Sequence, residues 1–183
     1  MNKLRERTEY DGNPVGLDKD TAVLMGRELD KHLAAFHTLY SQYHKHHWLV
    51  EGPQFRDLHH FFEENYDQIH KQYDKIAERL TVMGIAPTCK PENKAELSYI
   101  EHEQEGVYGI RDMLKNDMVN EREVSKALRE TIELANEKGD YATKAMLEKI
   151  LYKTEDRCHH LEHFLGKDSV YETHQNGAMV AAS

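Results

Sequence analysis

Apolar residues recur along this chain at the period of an α-helix and nowhere at the period of a strand. From Asp18 or Asp20, either of which can cap a helix, to Trp48, the positions Leu29, Leu33, Phe36, Tyr40 and Tyr43 fall on one stripe. The turn Leu49–Pro53 leads into a second helix, with Pro53 suited to its first turn. This helix runs to about Met83, turns Leu58, Phe62, Ile69, Ile76 and Leu80 inward, and is closed by Gly84 with Pro87 beyond. Residues 85–105 predict a connector holding one short helix over Glu92–Ile100. A third helix spans Val107–Lys138 on Ile110, Leu114, Val124, Leu128 and Ile132. Gly139 breaks it and Asp140 caps a fourth, which lines up Leu147, Leu151, Thr154, Cys158, Leu161 and Leu165 before Gly166.

Two helices, a long connection and two more helices predict an all-α, ferritin-like four-helix bundle with one crossover. Residues 18–166 form the bundle, and 1–17 and 167–183 read as mobile tails. Composition narrows the classes further. A chain of 183 residues suits one domain, and 31 % charged residues with no long apolar run exclude a membrane-spanning bundle. The net charge of −9 argues against a generic nucleic-acid binder. Cys89 and Cys158 are far apart and form no CxxC, and Met1–Glu6 lacks an apolar export run, so a reducing cytoplasm is expected.

The candidate chemistry lies in 13 histidines clustered beside carboxylates. On the second helix His59, Glu63, Asp74 and Glu78 sit at about 0°, 40°, 60° and 100°, so four potential metal ligands share one stripe. His59/Glu63 and Asp74/Glu78 are about 22 Å apart along the axis, too far for one ion. An antiparallel copy of this helix, related by a two-fold near residue 68 or 69, solves the problem by bringing each pair against the other pair of the partner. His47 ends the first helix, and the short turn folds it back toward His59. The composite site is then His47, His59 and Glu63 from one subunit with Asp74 and Glu78 from the other, a mixed N/O set suited to iron(II) or manganese. An iron centre inside one bundle needs Glu-x-x-His pairs, and the nearest approaches, Asp67/His70 and Asp156/His159, carry aspartate.

The run His47-Trp48-Leu49-Val50-Glu51-Gly52-Pro53-Gln54-Phe55-Arg56-Asp57-Leu58-His59, with Asp74-Lys75-Ile76-Ala77-Glu78-Arg79 after it, resembles the signature of the Dps family, the mini-ferritins. The likeness extends over about residues 18–165 and is greatest to the DpsA type of haloarchaea and cyanobacteria. The resemblance implies a hollow homo-dodecamer built from two-fold dimers. It also implies a ferroxidase that holds two iron ions at each inter-subunit site, oxidises iron(II) with hydrogen peroxide or O2, and stores ferric oxyhydroxide, protecting DNA and cell from oxidative stress. His47, His59, Asp74 and Glu78 coincide with the family's ligands, whereas Glu63 stands where the family usually has aspartate. His159 falls near a position where many relatives have tryptophan. With His163 on the same face it is either a further ligand or a surface histidine. Trp48, Tyr66 and Tyr73 either intercept stray radicals or simply pack. Asp140, Glu148 and Glu155 either draw iron inward or form a solvated acidic face. Relatives that bind DNA use lysine-rich tails, but Lys3, Arg5 and Arg7 are balanced here by Glu6, Glu9 and Asp11, so DNA binding is expected to be weak or absent at neutral pH. The competing readings are a nucleoid protein acting by physical protection and a non-catalytic helical bundle.

Overall fold

A computed structural model of the chain describes residues 2–166 and two short strands beyond them. Five helices follow in order: α1 (Lys19–Leu49), α2 (Phe55–Val82), α3 (Pro91–Leu97), α4 (Ile110–Glu137) and α5 (Tyr141–Phe164). The strands β1 (Tyr171–Thr173) and β2 (Met179–Ala181) pair antiparallel, inside a segment whose sequence predicts no strand. The expectation of a C-terminal tail otherwise lies outside the described residues.

Local chemistry sets the helix ends. The Asp18 side chain accepts from the Thr21 amide at 2.9 Å and starts α1. At the end of α2, Gly84 takes φ +77° and the Ile85 and Gly84 amides reach the carbonyls of Leu80 and Thr81, a Schellman close. Gly84 is required twice over, because a Cβ there would also collide with the Gly12 carbonyl oxygen. The α4–α5 hairpin repeats the device. Asp140 and Gly139 amides close α4 on Ala135 and Asn136, and the Asp140 carboxylate then caps α5 through the Thr143 amide at 3.1 Å. Three boundaries differ from the sequence expectation. Pro53 and Gln54 form a turn before α2 begins at Phe55, α3 stops at Leu97, and α4 starts at Ile110 because Gly109 takes the extended cap position.

α1 and α2 form one antiparallel pair, α4 and α5 the other, and the connector with α3 crosses between them. Leu29, Leu33, Phe36, Leu39, Leu58, Phe62, Ile69, Ile76, Leu80, Val124, Leu128, Leu147 and Leu161 are all buried in one core. The core also holds charge. Arg157 is fully buried, donates to both Glu121 carboxylate oxygens at 2.6 and 3.0 Å, and reaches Gln68 and Gln72 at 2.7 and 3.2 Å. A guanidinium thus fills the space among α2, α4 and α5, where a bundle-internal metal centre would need carboxylates of its own.

Buried polar contacts fix the crossover. Asp30 of α1 accepts from the Thr88 amide at 2.9 Å and the Thr88 hydroxyl at 2.6 Å. His32 bridges Tyr99 and Thr131, at 2.8 Å to each. Residues 2–17, expected as a tail, run against the bundle: Arg7 pairs with Asp30 at 2.9 Å and the Asp11 amide donates to the Gly84 carbonyl at 3.1 Å.

Candidate metal centre

Helix phase separates the histidines that the sequence clusters. His46 points into the core, where Nδ1 meets Asp117 at 2.9 Å and Nε2 lies 3.0 Å from Glu103. Burial opposes its charged form, but the hydrogen bond and charge of Asp117, with Glu103 behind it, hold the imidazole above its ordinary value. His44 and His47 turn instead to the face shared with α2. His44 packs on Trp48 and Tyr66, and burial together with the neighbouring His47 holds it below its ordinary value.

His47 and His59 form a reciprocal pair. Nδ1 of His47 donates to the His59 carbonyl at 3.0 Å, and Nδ1 of His59 donates to the His47 carbonyl at 2.9 Å. The rings stack with centres 3.8 Å apart and planes 22° apart. A carbonyl oxygen can only accept, so both Nδ1 atoms carry the proton and both Nε2 lone pairs are left over. Each ring is therefore locked in the tautomer a metal ligand needs, by backbone atoms of the other histidine's residue. The five-residue link between α1 and α2, with Gly52 at φ +102°, is what lets the two helix ends approach this closely.

The remaining predicted ligands lie along α2. Glu63 is half-exposed and leans toward His60, 3.6 Å from its Nδ1. Asp74 and Glu78 are exposed farther along the same helix. Among the described residues, no three His, Cys, Asp or Glu side chains of one chain converge on a metal position. Tyr66 stands beside the histidine pair, 5.3 Å from the His47 ring, and Tyr73 accepts a 2.5 Å hydrogen bond from Lys94. Trp48 is 65 % exposed and Phe55, which stacks on His59, is 45 % exposed, so two large apolar rings flank the site uncovered.

Other candidates are placed elsewhere. His159 and His163 are exposed and face each other with Nε2 atoms 3.2 Å apart, on α5 and without a contact to the His47–His59 pair. Asp140 is buried. Its carboxylate accepts from Arg79 at 2.7 Å and from the Thr143 hydroxyl at 2.5 Å, so it is committed to a cap and an ion pair. Glu148 lies 3.8 Å from Lys144, and Glu155 pairs with Arg129 at 2.5 Å. Tyr40, placed by the sequence on the core stripe, and His70, named there only beside Asp67, join His37 in continuing the same face, a set that their three- and four-residue spacing marks.

Comparison with known proteins identifies the family and the fold. Residues 27–170 match the family described as Ferritin-like domain. The chain is 42 % identical over 161 residues to the nutrient stress-induced DNA-binding protein of Nostoc sp., a match covering 88 % of this chain and 87 % of the relative. It is 40 % identical over 154 residues to the DNA protection during starvation protein of Halobacterium salinarum, covering 84 % of this chain and 85 % of the relative. The crystal structure of an archaeal Dps homologue from Halobacterium salinarum superposes with a TM-score of 0.90 at 37 % identity, covering 97 % of this chain and 98 % of that one.

Proposed function

Because this chain belongs to the Dps family of ferritin-like proteins, we propose that it oxidises iron(II) at sites shared by two-fold related subunits and stores the ferric product inside a hollow dodecamer. His47, His59 and Glu63 of one subunit hold iron together with Asp74 and Glu78 of the partner subunit. The observation that carries this reading is the reciprocal His47–His59 pair. It leaves two Nε2 donors on one face of the protomer, and the carboxylates that complete an N/O set lie about 22 Å away on the same helix. The uncovered Trp48 and Phe55 rings mark the surface that the partner covers.

The two ions are substrates held side by side. Each gives one electron to the same peroxide, the O–O bond breaks, two protons are taken up and two waters leave. Delivering both electrons at one site avoids release of hydroxyl radical. The chain contributes fixed imidazole tautomers, carboxylates that balance the growing positive charge, and an acidic surface that concentrates cations. Glu63, one methylene longer than the aspartate usual in the family, extends toward the second ion from the same helical position. Glu148 and Glu155 are half-exposed acids that draw iron inward only by exchanging their partners Lys144 and Arg129, and His159 with His163 is an accessory position for an ion on its way.

Mixing iron(II) with peroxide should give rapid ferric absorbance, lost by about tenfold or more in His59→Ala and in Asp74→Ala. Co-assembled from equal amounts of the two inactive variants, the protein should regain about a quarter of its activity, because half the dimers are mixed and each mixed dimer holds one intact site. Full activity in either single variant would sink the assignment.

DNA protection on this reading is chemical rather than a coating. Lys3 pairs with Glu6, Arg5 with Asp11 and Arg7 with Asp30, so the cations of the N-terminal segment are already neutralised.

A further inference from the structure

We propose that the α1–α2 face is an electron relay that joins the two metal sites of a dimer. The inference rests on the iron-oxidising reading above and adds a function for residues that hold no metal. α1 presents His37, Tyr40, His44 and His47 at helical spacing, and antiparallel α2 presents Tyr73, His70, Tyr66 and His59 opposite them. The rings pair across the helices as a ladder. His47 meets His59 at 3.8 Å between ring centres, His44 meets Tyr66 at 4.4 Å, Tyr40 meets His70 at 5.5 Å and His37 meets Tyr73 at 5.9 Å. Lengthwise, His47 to Tyr66 is 5.3 Å, Tyr66 to Tyr40 is 6.0 Å and His70 to Tyr73 is 6.3 Å.

The ladder begins at the His47–His59 pair and ends at Tyr73, the residue before Asp74. In the two-fold dimer those are the two halves of different sites, about 22 Å apart along one helix. Tunnelling falls off exponentially with distance, so a series of ring-to-ring steps no longer than 6.3 Å outruns a single transfer over the whole span. Packing alone does not account for the choice of rings. On the core side the same two helices pack Phe36, Leu39, Phe62 and Ile69 with a single tyrosine, Tyr43, whereas the outer side carries three tyrosines in a row, Tyr66, Tyr40 and Tyr73, among histidines. Tyr66 packs against His44 and Tyr40 against His44 and His70, and neither Tyr40 nor Tyr66 spends its hydroxyl on a hydrogen bond to the described residues.

The relay matters when each site holds a single iron(II). Peroxide at one site takes one electron from that ion and the second from Tyr66, whose phenolic proton goes to solvent water as it is oxidised. The electron vacancy moves through Tyr40 to Tyr73 and is filled by iron(II) at the other site, and each tyrosine regains its proton. The balance is that of the proposed reaction: two iron(II) become two iron(III), one peroxide and two protons become two waters, and no hydroxyl radical leaves.

The test uses the assembled protein, peroxide as oxidant, and iron(II) at one or two ions per site. Tyr40→Phe keeps the ring and removes the oxidisable hydroxyl, and Tyr152→Phe, an exposed tyrosine remote from the ladder, is the control. At two ions per site Tyr40→Phe should match the unaltered protein. At one ion per site it should oxidise iron about tenfold more slowly and leave a larger tyrosyl signal in freeze-quench electron paramagnetic resonance, stranded on Tyr66, than the unaltered protein, in which the vacancy moves on to the second iron. Equal rates and equal radical yield in Tyr40→Phe at one ion per site would overturn the relay while leaving the ferroxidase intact. Absence of oxidation in the unaltered protein at two ions per site would instead remove the underlying reading, and the relay with it.

Discussion

His32 shows how one side chain's proton inventory can be closed. The Thr131 hydroxyl donates to the Ala127 carbonyl at 3.1 Å, so it can only accept from His32 Nε2–H, and Tyr99 must then donate to Nδ1. The imidazole is neutral and has no room for a second proton. Burial, reinforced by the charge of Lys31, lowers its pKa to about 3 from 6.5. A depressed histidine stabilises the fold fully above its unfolded value, and the contribution is lost as pH falls from about 6.5 toward 3, by at most about 1.4 kcal/mol per pH unit. Thermal unfolding followed from pH 7 to pH 4 should show this decline, and His32→Gln, which keeps a donor and an acceptor but cannot titrate, should flatten it. An unchanged slope would place the acid sensitivity elsewhere. Residues of this kind explain what was legible in the sequence and what was not. The angular stripe of His59, Glu63, Asp74 and Glu78 follows from helix geometry alone, as does the return of His47 toward His59. That His46, one position away, belongs to the core depends on Asp117 and Glu103, whose approach is set by the crossover and by no local pattern.

Among the elements, long helices with strict periodicity were readable and their junctions less so. Gly84 and Gly139 announce their breaks because left-handed closure needs glycine, whereas the ends of α3 and the start of α4 are decided by how the connector docks on α1. From sequence Asp140 reads both as the cap of the fourth helix and as one of a group of acids that could draw iron inward. In the structure it links three elements: it closes the α4 turn through its amide, caps α5 and receives Arg79 from α2. Asp140→Ala should therefore cost about 1–3 kcal/mol, read as a lowered thermal midpoint, with iron uptake per folded particle unchanged. A loss of uptake at full stability would return Asp140 to a route for iron. The polar residues buried between elements, Arg157, Glu121, Gln42 and Asp117, escaped sequence reading because a charged residue on a helix is ordinarily solvated.

For the whole molecule, charge decides how the protein meets DNA. Each subunit carries −9, and the N-terminal cations are paired within the chain. A particle of many such subunits repels a polyanion at neutral pH. A gel shift at pH 7.5 should show no complex that survives physiological salt, and a salt-resistant complex would contradict this. Protonation of histidines at lower pH is the one route by which the repulsion weakens.

The Arg157–Glu121 pair has a consequence for regulation. A permanently charged ion pair fills the heart of the protomer, so on the proposed reading the iron chemistry belongs to the seams between chains, which exist only while subunits are associated. Dilution below the association threshold would then switch that chemistry off, which makes concentration itself a control on it.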